Sequence, residues 1–417
     1  MTMSNPPSLA RTEDTATSSP LALLFGPVDG WSLEPVGVWL LTEGRQTKDP
    51  SVLLTELMVR LDAAGAHIDR IRISSRTLHP QLVALGVVWN RTSGVELWNG
   101  PHGVQESDAY LGSPMQFVIQ QVQVFRKRLD GVGDDDHAVL HDMRAEGMTD
   151  YMAIPMVFSS GTSNAMTLAT QAPRGFTDPE LLRFVALANL LAPLFEIINL
   201  RRTTLGLLNT FVGHRISERI LQGQVKRGDG ERIEAAFWYS DLRGFTSLSE
   251  TLPTDELLRL LNEYFEYCAA AAGARGGEIL QFIGDAILIV FEIDSAEDEA
   301  RVCASALYAA VDAFASIAVV NHRRRRSGQS LIEFGLGLHL GNVTHANVGS
   351  PDRLSFNVVG PAVNMTARIQ DLTKETGVPL LMSSDFARHI RHKLRSVGRY
   401  DLRGIGKSQE VFTLVDE

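Results

Sequence analysis

Between residues 234 and 340 the apolar residues change period in an order that few folds accept. Ala235-Ala236-Phe237-Trp238-Tyr239 reads as an unbroken apolar strand over 234–240. After Thr254, placed as an N-cap, Leu257, Leu258, Leu260, Leu261, Tyr264 and Phe265 recur at helical spacing. Strands over 278–283 and 286–291 flank a Gly284-Asp285 turn, followed by a long helix over about 295–320 and a strand over 332–340. Strand, helix, strand, strand, helix, strand is the split βαβ, ferredoxin-like arrangement, in which the first strand lies beside the turn of the hairpin. Two carboxylates are fixed at that edge: Asp241 ends the first strand and Asp285 sits in the turn. Side by side on rigid elements they can clamp a hard cation, which prefers oxygen ligands. Magnesium held in that way neutralises phosphate charge and helps generate an oxygen nucleophile.

Upstream, residues 31–200 read as a mixed α/β domain. Helices are expected over 51–64 and 137–146, with strands over 67–73, 82–89, 95–98, 151–158 and 165–170. Thr177 and Glu180 make a capping box that starts a closing helix. Such an order suits a small-molecule sensor or dimerisation module, but no ligand constellation is legible in it. Asp134-Asp135-Asp136 reads as a solvated loop. Leu181–Leu200 is apolar enough to suggest a membrane span, yet Arg183, Asn189, Pro193, Glu196 and Asn199 interrupt it, and a helix buried in a domain or dimer seam is expected instead. Residues 201–232 read as a helical linker that ends in Arg227-Gly228-Asp229-Gly230, a turn signal opening the last domain, 233–417. Residues 1–30, rich in Ser, Thr and Pro, are expected to be disordered.

Composition excludes some partners. Forty-nine acidic against 39 basic residues leave a net charge of −10, which argues against a general nucleic-acid binder. Cys268 and Cys303 fall in helical apolar patterns, as buried free thiols of a reducing compartment do. With no signal peptide and no transmembrane segment read, a cytoplasmic location is expected. Arg323–Arg326 reads as a solvated loop and His339 as a residue packed within the sheet.

After the core comes Phe356-Asn357-Val358-Val359-Gly360-Pro361-Ala362-Val363-Asn364-Met365-Thr366-Ala367-Arg368: a strand, a Gly-Pro turn and a helix start. Asn364 and Arg368 stand four apart on one helix face, an amide beside a guanidinium fork suited to phosphate oxygens. Together with Ser240-Asp241-Leu242-Arg243-Gly244-Phe245-Thr246 and Gln281-Phe282-Ile283-Gly284-Asp285-Ala286, this motif resembles the class III adenylate/guanylate cyclases. The resemblance covers residues 233–417, under half the chain, and residues 31–200 more loosely resemble a GAF-like sensor domain.

The resemblance implies conversion of ATP to 3′,5′-cyclic AMP and pyrophosphate with two Mg2+ or Mn2+ ions. Asp241, Asp285 and the backbone carbonyl of Leu242 would hold the ions. Backbone amides of Arg243, Gly244, Phe245 and Thr246 would cradle phosphate. Asn364 would orient the ribose, and Arg368 would neutralise charge on the α-phosphate. In this family the aspartates and the Asn/Arg pair come from opposite subunits, so a homodimer is implied, with a small-molecule or protein regulator at the N-terminal domain.

Two positions depart from the family pattern. Gln281 and Asn357 stand where adenylate cyclases usually carry Lys and Asp. As amides they can read adenine, or guanine when flipped, so ATP is expected with relaxed selectivity and GTP as the alternative. Lys407 stands two residues beyond the place of the family's phosphate-binding lysine. Each residue also has a plain reading: Asp241 as a strand end, Asp285 as a turn former, Asn364 as a helix-start residue, Arg368 as an ion-pair partner and Gln281 as a solvent-facing amide. A low-activity, cyclase-like regulatory dimer is the alternative function.

Overall fold

The computed structural model describes residues 31–78, 82–223, 226, 228, 230–350 and 353–415. The expected disordered segment, 1–30, lies outside them. The chain divides into two compact units, Met1–Leu207 and Leu208–Glu417.

The first unit is built on a six-stranded antiparallel sheet: β1 (Arg70–Arg76), β2 (Leu82–Asn90), β3 (Gly94–Pro101), β4 (Phe125–Arg128), β5 (Asp150–Val157) and β6 (Ser163–Thr170), in the order β3-β2-β1-β6-β5-β4. Helices α1 (Glu34–Thr42) and α2 (Pro50–Ala63) precede it, α3 (Pro114–Gln121) and α4 (Ala138–Ala145) interrupt it, and α5 (Asp178–Val212) follows. Alternation along β1 sorts its residues by face. Ile71 and Ile73 join a core with Leu53, Leu57, Phe184 and Leu187, while Arg70, Arg72, Ser74 and Arg76 point the other way. On that second face α3 packs against β5 and β6 over a smaller core of Val118, Leu140, Met143 and Tyr151.

The capping box closes both ways: Thr177 N–H donates to Glu180 Oε2 at 2.7 Å and Glu180 N–H to Thr177 Oγ1 at 3.4 Å. The helix it starts does not end near residue 200. It runs to Val212, because the polar stretch Arg201–Thr204 contains no breaker, and stops at Gly213, whose φ is +89°. A short helix, α6 (His214–Leu221), follows, so the expected helical segment over 201–232 is helical over 201–212 and 214–221, and its end is corrected: strand already begins at Gly230.

The second unit opens with β7 (Gly230–Leu242), α7 (Phe245–Thr251), α8 (Thr254–Gly273), β8 (Glu278–Ile283), β9 (Ala286–Glu292) and α9 (Glu299–Arg326). It continues through β10 (Phe334–Ser350), β11 (Arg353–Val359), α10 (Pro361–Thr376), β12 (Leu380–Ser383), α11 (Ser384–Ala387), β13 (Leu394–Tyr400) and β14 (Gln409–Leu414). The sheet order is β13-β14-β12-β10-β7-β9-β8, with β11 paired to β10. Its β10-β7-β9-β8 portion has the expected ferredoxin-like order and puts the end of β7 beside the β8–β9 turn. Trp238, Leu242, Ile287, Ile289 and Leu336 pack on one face against Leu260, Tyr264, Cys303 and Ala306 of α8 and α9.

Three readings are corrected here. Thr254 is the first helical residue, not the cap, and Pro253 ahead of it makes no side-chain cap bond. The final strand extends far past 340, since β10 pairs with β7 along its length and then with β11. Arg323–Arg326 form the last turn of α9, where cations meet the negative end of the helix dipole. Within that turn Arg324 is buried and bonds Glu263 at 2.5 Å.

Among the described residues two helices, Asp178–Val212 and Glu299–Arg326, are long and apolar enough to cross a membrane by length and composition. Both also supply a buried face to their unit's core: Phe184, Leu187 and Leu191 from the first, Cys303, Ala306 and Ala310 from the second.

Candidate active site

Asp241 lies in β7 between two neighbours, opposite Ala286 of β9 and Gly335 of β10. Gly284, in the left-handed region at φ +63°, lets the β8–β9 hairpin turn tightly enough to carry Asp285 to the same edge. The two carboxyl groups share a hydrogen bond. Burial, then that bond and the negative charge of Asp241, push the Asp285 carboxyl up to about 7. Two carboxylates this close resist joint ionisation unless a cation sits between or beside them. The chain supplies one: Lys374 Nζ lies 2.7 Å from Asp241 Oδ2, with the two side chains 48% and 18% exposed.

Beneath Asp241 a buried polar chain fixes the strand. Trp238 Nε1–H donates to Ser240 Oγ at 2.9 Å, and Ser240 Oγ lies 2.7 Å from the Tyr264 hydroxyl. Burial raises the Tyr264 hydroxyl well above its usual range, so it stays a neutral partner there.

Lys374 reaches Asp241 because α10 lies unusually close to the sheet. A Cβ on Gly337 would sit 2.7 Å from Gln370 N and from Thr366 O, and one on Gly335 would sit 2.0 Å from Thr373 Oγ1. Alternating glycines on β10 thus admit the helix backbone. Arg243 ties the end of α10 down further, its Nη2–H donating to the Thr373 carbonyl at 2.9 Å. The Arg243 amide is also engaged, donating to the Glu333 carbonyl at 2.7 Å. That narrows the expected phosphate cradle to Gly244, Phe245 and Thr246. Gly244 adopts φ +68° and α7 starts at Phe245, so the first-turn amides have no intrahelical acceptors.

Asn364 and Arg368 lie on the same α10, but away from their own chain's carboxylates. Asn364 is exposed, ten residues before Lys374, or about 15 Å along the axis at 1.5 Å per residue. Arg368 is paired with Asp371 at 3.1 Å instead. Gln281 is exposed on the edge strand β8, next to a bulge at Ile279/Gln281, and Asn357 is half-buried on β11 opposite Ala346. Those two strands are not neighbours: β8 pairs with β9 and β11 with β10. Lys407 is exposed in the loop before β14, its carbonyl accepting from Gln409. A single chain therefore assembles Asp241, Asp285 and Lys374, while Asn364, Arg368, Asn357 and Lys407 bond neither carboxylate among the described residues.

The donors suit a hard divalent ion. Two carboxylates and the neighbouring Leu242 backbone offer only oxygen, and no group of three or more His, Cys, Asp or Glu suited to a metal occurs among the described residues. Burial is the largest cause of the raised Asp285 carboxyl, and the negative charge of Asp241 that adds to it is the charge a cation would relieve.

Residues 231–415 match the family described as the adenylate and guanylate cyclase catalytic domain. This segment is a cyclase catalytic domain. Among relatives, an adenylate cyclase of Anabaena cylindrica is 34% identical over 177 residues, covering 42% of this chain and 33% of that protein. Adenylate cyclase 1 of Rhizobium meliloti is 26% identical over 190 residues, covering 44% of this chain and 28% of that protein. The chain thus spans a third or less of these relatives' length. Among solved structures, the guanylyl cyclase Cya2 is 28% identical, covering 45% of this chain and 94% of that one at a TM-score of 0.40. The adenylyl cyclase CyaB from P. aeruginosa is 24% identical, covering 45% and 97%, at a TM-score of 0.41. The cyclase match begins one residue into β7 and takes in every motif quoted above.

Proposed function

We propose that this chain is a nucleotidyl cyclase that converts ATP to 3′,5′-cyclic AMP and pyrophosphate at a homodimer interface, under the control of a GAF-like N-terminal domain in the cytoplasm. The observation that carries the reading is the Asp241–Asp285 pair, adjacent at one rim and balanced among the described residues by Lys374.

Asp241, Asp285 and the Leu242 carbonyl would hold two Mg2+ or Mn2+ ions. When bound, these would neutralise the triphosphate and acidify the ribose 3′-hydroxyl. Lys374 leaves Asp241 Oδ2 when that oxygen is taken, and its charge stays at the rim, where the phosphates arrive. Gly244, Phe245 and Thr246 present amides to the phosphate oxygens. Asn364 holds the ribose, and Arg368 exchanges Asp371 for the α-phosphate as charge gathers there. Removing a fixed donor of this kind typically costs about 3–4 kcal/mol of transition-state stabilisation.

A second copy supplies what the first lacks. One chain's Asn364 lies far along α10 from its own aspartates, so a composite site needs another chain. Exposed Phe282, Ile283 and Val359, at 50%, 41% and 56%, flank the motif residues and offer apolar surface for that copy. On α5 the exposed Leu182, Ile197 and Leu200 do the same.

Base choice rests on Gln281 and Asn357. Neither side chain is held by a hydrogen bond among the described residues, so each amide is free to turn. That freedom supports ATP use with relaxed selectivity, and it keeps guanylate cyclase as the second reading. Product analysis of the purified full chain, given ATP and GTP with Mg2+ or Mn2+, tests both. Cyclic AMP in excess is expected. A strong GTP preference overturns the base assignment, and no pyrophosphate release with either nucleotide leaves a regulatory, cyclase-like dimer.

A further inference from the structure

A cavity of about 310 Å3 lies in the N-terminal unit, on the face of the sheet opposite its main core. Arg70, Arg72 and Arg76 of β1 line it, and among the described residues no Asp or Glu does. Its walls are otherwise largely apolar, with Trp98 on one side and Met115, Ile119 and Val139 on another. Arg70 already has a carboxylate, Glu146, at 3.7 Å. Arg72 has none. Its Nε–H donates to the Ser74 hydroxyl at 2.9 Å and its guanidinium lies 4.4 Å from the Trp98 ring centroid. Arg76, at the rim, forms no ion pair among the described residues. Burial pulls the Arg72 guanidinium below its usual value, and a half-buried cation of this kind ordinarily has an anionic partner.

We propose that this cavity binds a small organic anion, a carboxylate or phosphate carried on an apolar body of aromatic size. The anionic oxygens meet Arg72 and Arg76 in fork geometry, and the body lies against Trp98 and Ile119. The volume suits one such molecule. Tyr110 and Tyr151 both keep their protons, the latter pushed up to about 12 by burial, so the polar lining donates rather than repels. This site stands independently of the chemistry assigned to the cyclase domain, and failure of either leaves the other untouched.

The test is calorimetric titration of the full chain with 2-naphthoate, 2-naphthyl phosphate and the neutral 2-naphthamide. At least one anion is expected to bind roughly tenfold or more tightly than the amide, as charge-assisted bonds imply. Whichever anion binds tighter identifies the headgroup. Arg72→Gln should erase the preference, and Ala84→Phe, which fills the cavity without changing charge, should weaken all three. Equal binding of the three on the wild-type chain, no saturable binding of either anion, or a preference that survives Arg72→Gln overturns the proposal. The anion-to-amide comparison needs no variant, so it decides even where Arg72→Gln fails to fold.

Discussion

The two units place like charges on a sheet and settle them in opposite ways. In the C-terminal unit two carboxylates crowd one rim, and the chain answers with its own cation, Lys374, from a helix pressed onto glycines. In the N-terminal unit three arginines line one cavity; Glu146 answers Arg70, whereas Arg72 and Arg76 have no carboxylate partner among the described residues. The difference teaches where to look for a ligand. A charge cluster answered within the chain can exchange its partner for an ion, whereas an unanswered one wants its counter-charge from outside. Local chemistry, rather than net charge, separates the two: a chain of net charge −10 still builds an arginine-lined cavity.

The sharpest way to break this comparison is at the carboxylates. Asp241→Ala and Asp285→Ala are each expected to lower the cyclase rate by about a thousandfold or more, since metal-borne charge stabilisation is worth several kcal/mol. Circular dichroism should show the fold intact, because both residues stand at a rim. A variant that keeps its rate would leave Asp241 as a strand end and Asp285 as a turn former. Next in size is Arg368→Ala, expected to cost about 10²–10³ in kcat with KM changed little, as loss of a transition-state donor does. A change confined to KM would make Arg368 a ground-state contact.

A smaller effect separates the answered cluster from the unanswered one. Asp285 is raised from 3.8 to about 7, so the folded, metal-free chain binds more protons than the unfolded chain between those values. Its contribution to stability is therefore present at low pH and is lost as pH climbs from 3.8 to about 7. Thermal melts of wild type and Asp285→Asn in chelator should diverge over that window, with the variant gaining relative to wild type as pH rises. Divalent ions should close the gap. Parallel melts across the window would mean that burial and the Asp241 neighbour do not raise Asp285.

Much of this was legible in the sequence, for definable reasons. The runs around Asp241 and Asp285 are unbroken and apolar, bounded by glycine, so their strands and the hairpin turn stand out. Topology then brings the two carboxylates together although 44 residues separate them (285 − 241). Lys374 was not legible as a partner: it is 133 residues from Asp241, and only the glycines of β10 reveal how close the helix lies. The arginine cavity was missed for a related reason. Arg70, Arg72 and Ser74 alternate with Ile71 and Ile73, which on its own reads as a solvent face. Helices α3 and α4, only eight residues each, cover that face and are too short to show much period. The helix read as ending near residue 200 runs on to Val212 because charged residues alone do not stop a helix, whereas Gly213 does.

The central claim is that each complete site takes its carboxylates from one chain and its Asn364 and Arg368 from another. Mixing Asp241→Ala chains with Arg368→Ala chains tests it most directly. Each variant alone should be nearly inert, and the mixture should regain cyclase activity through the one composite site that carries neither substitution. No recovery, in a mixture where heterodimers are demonstrated by native mass spectrometry, would contradict a shared site.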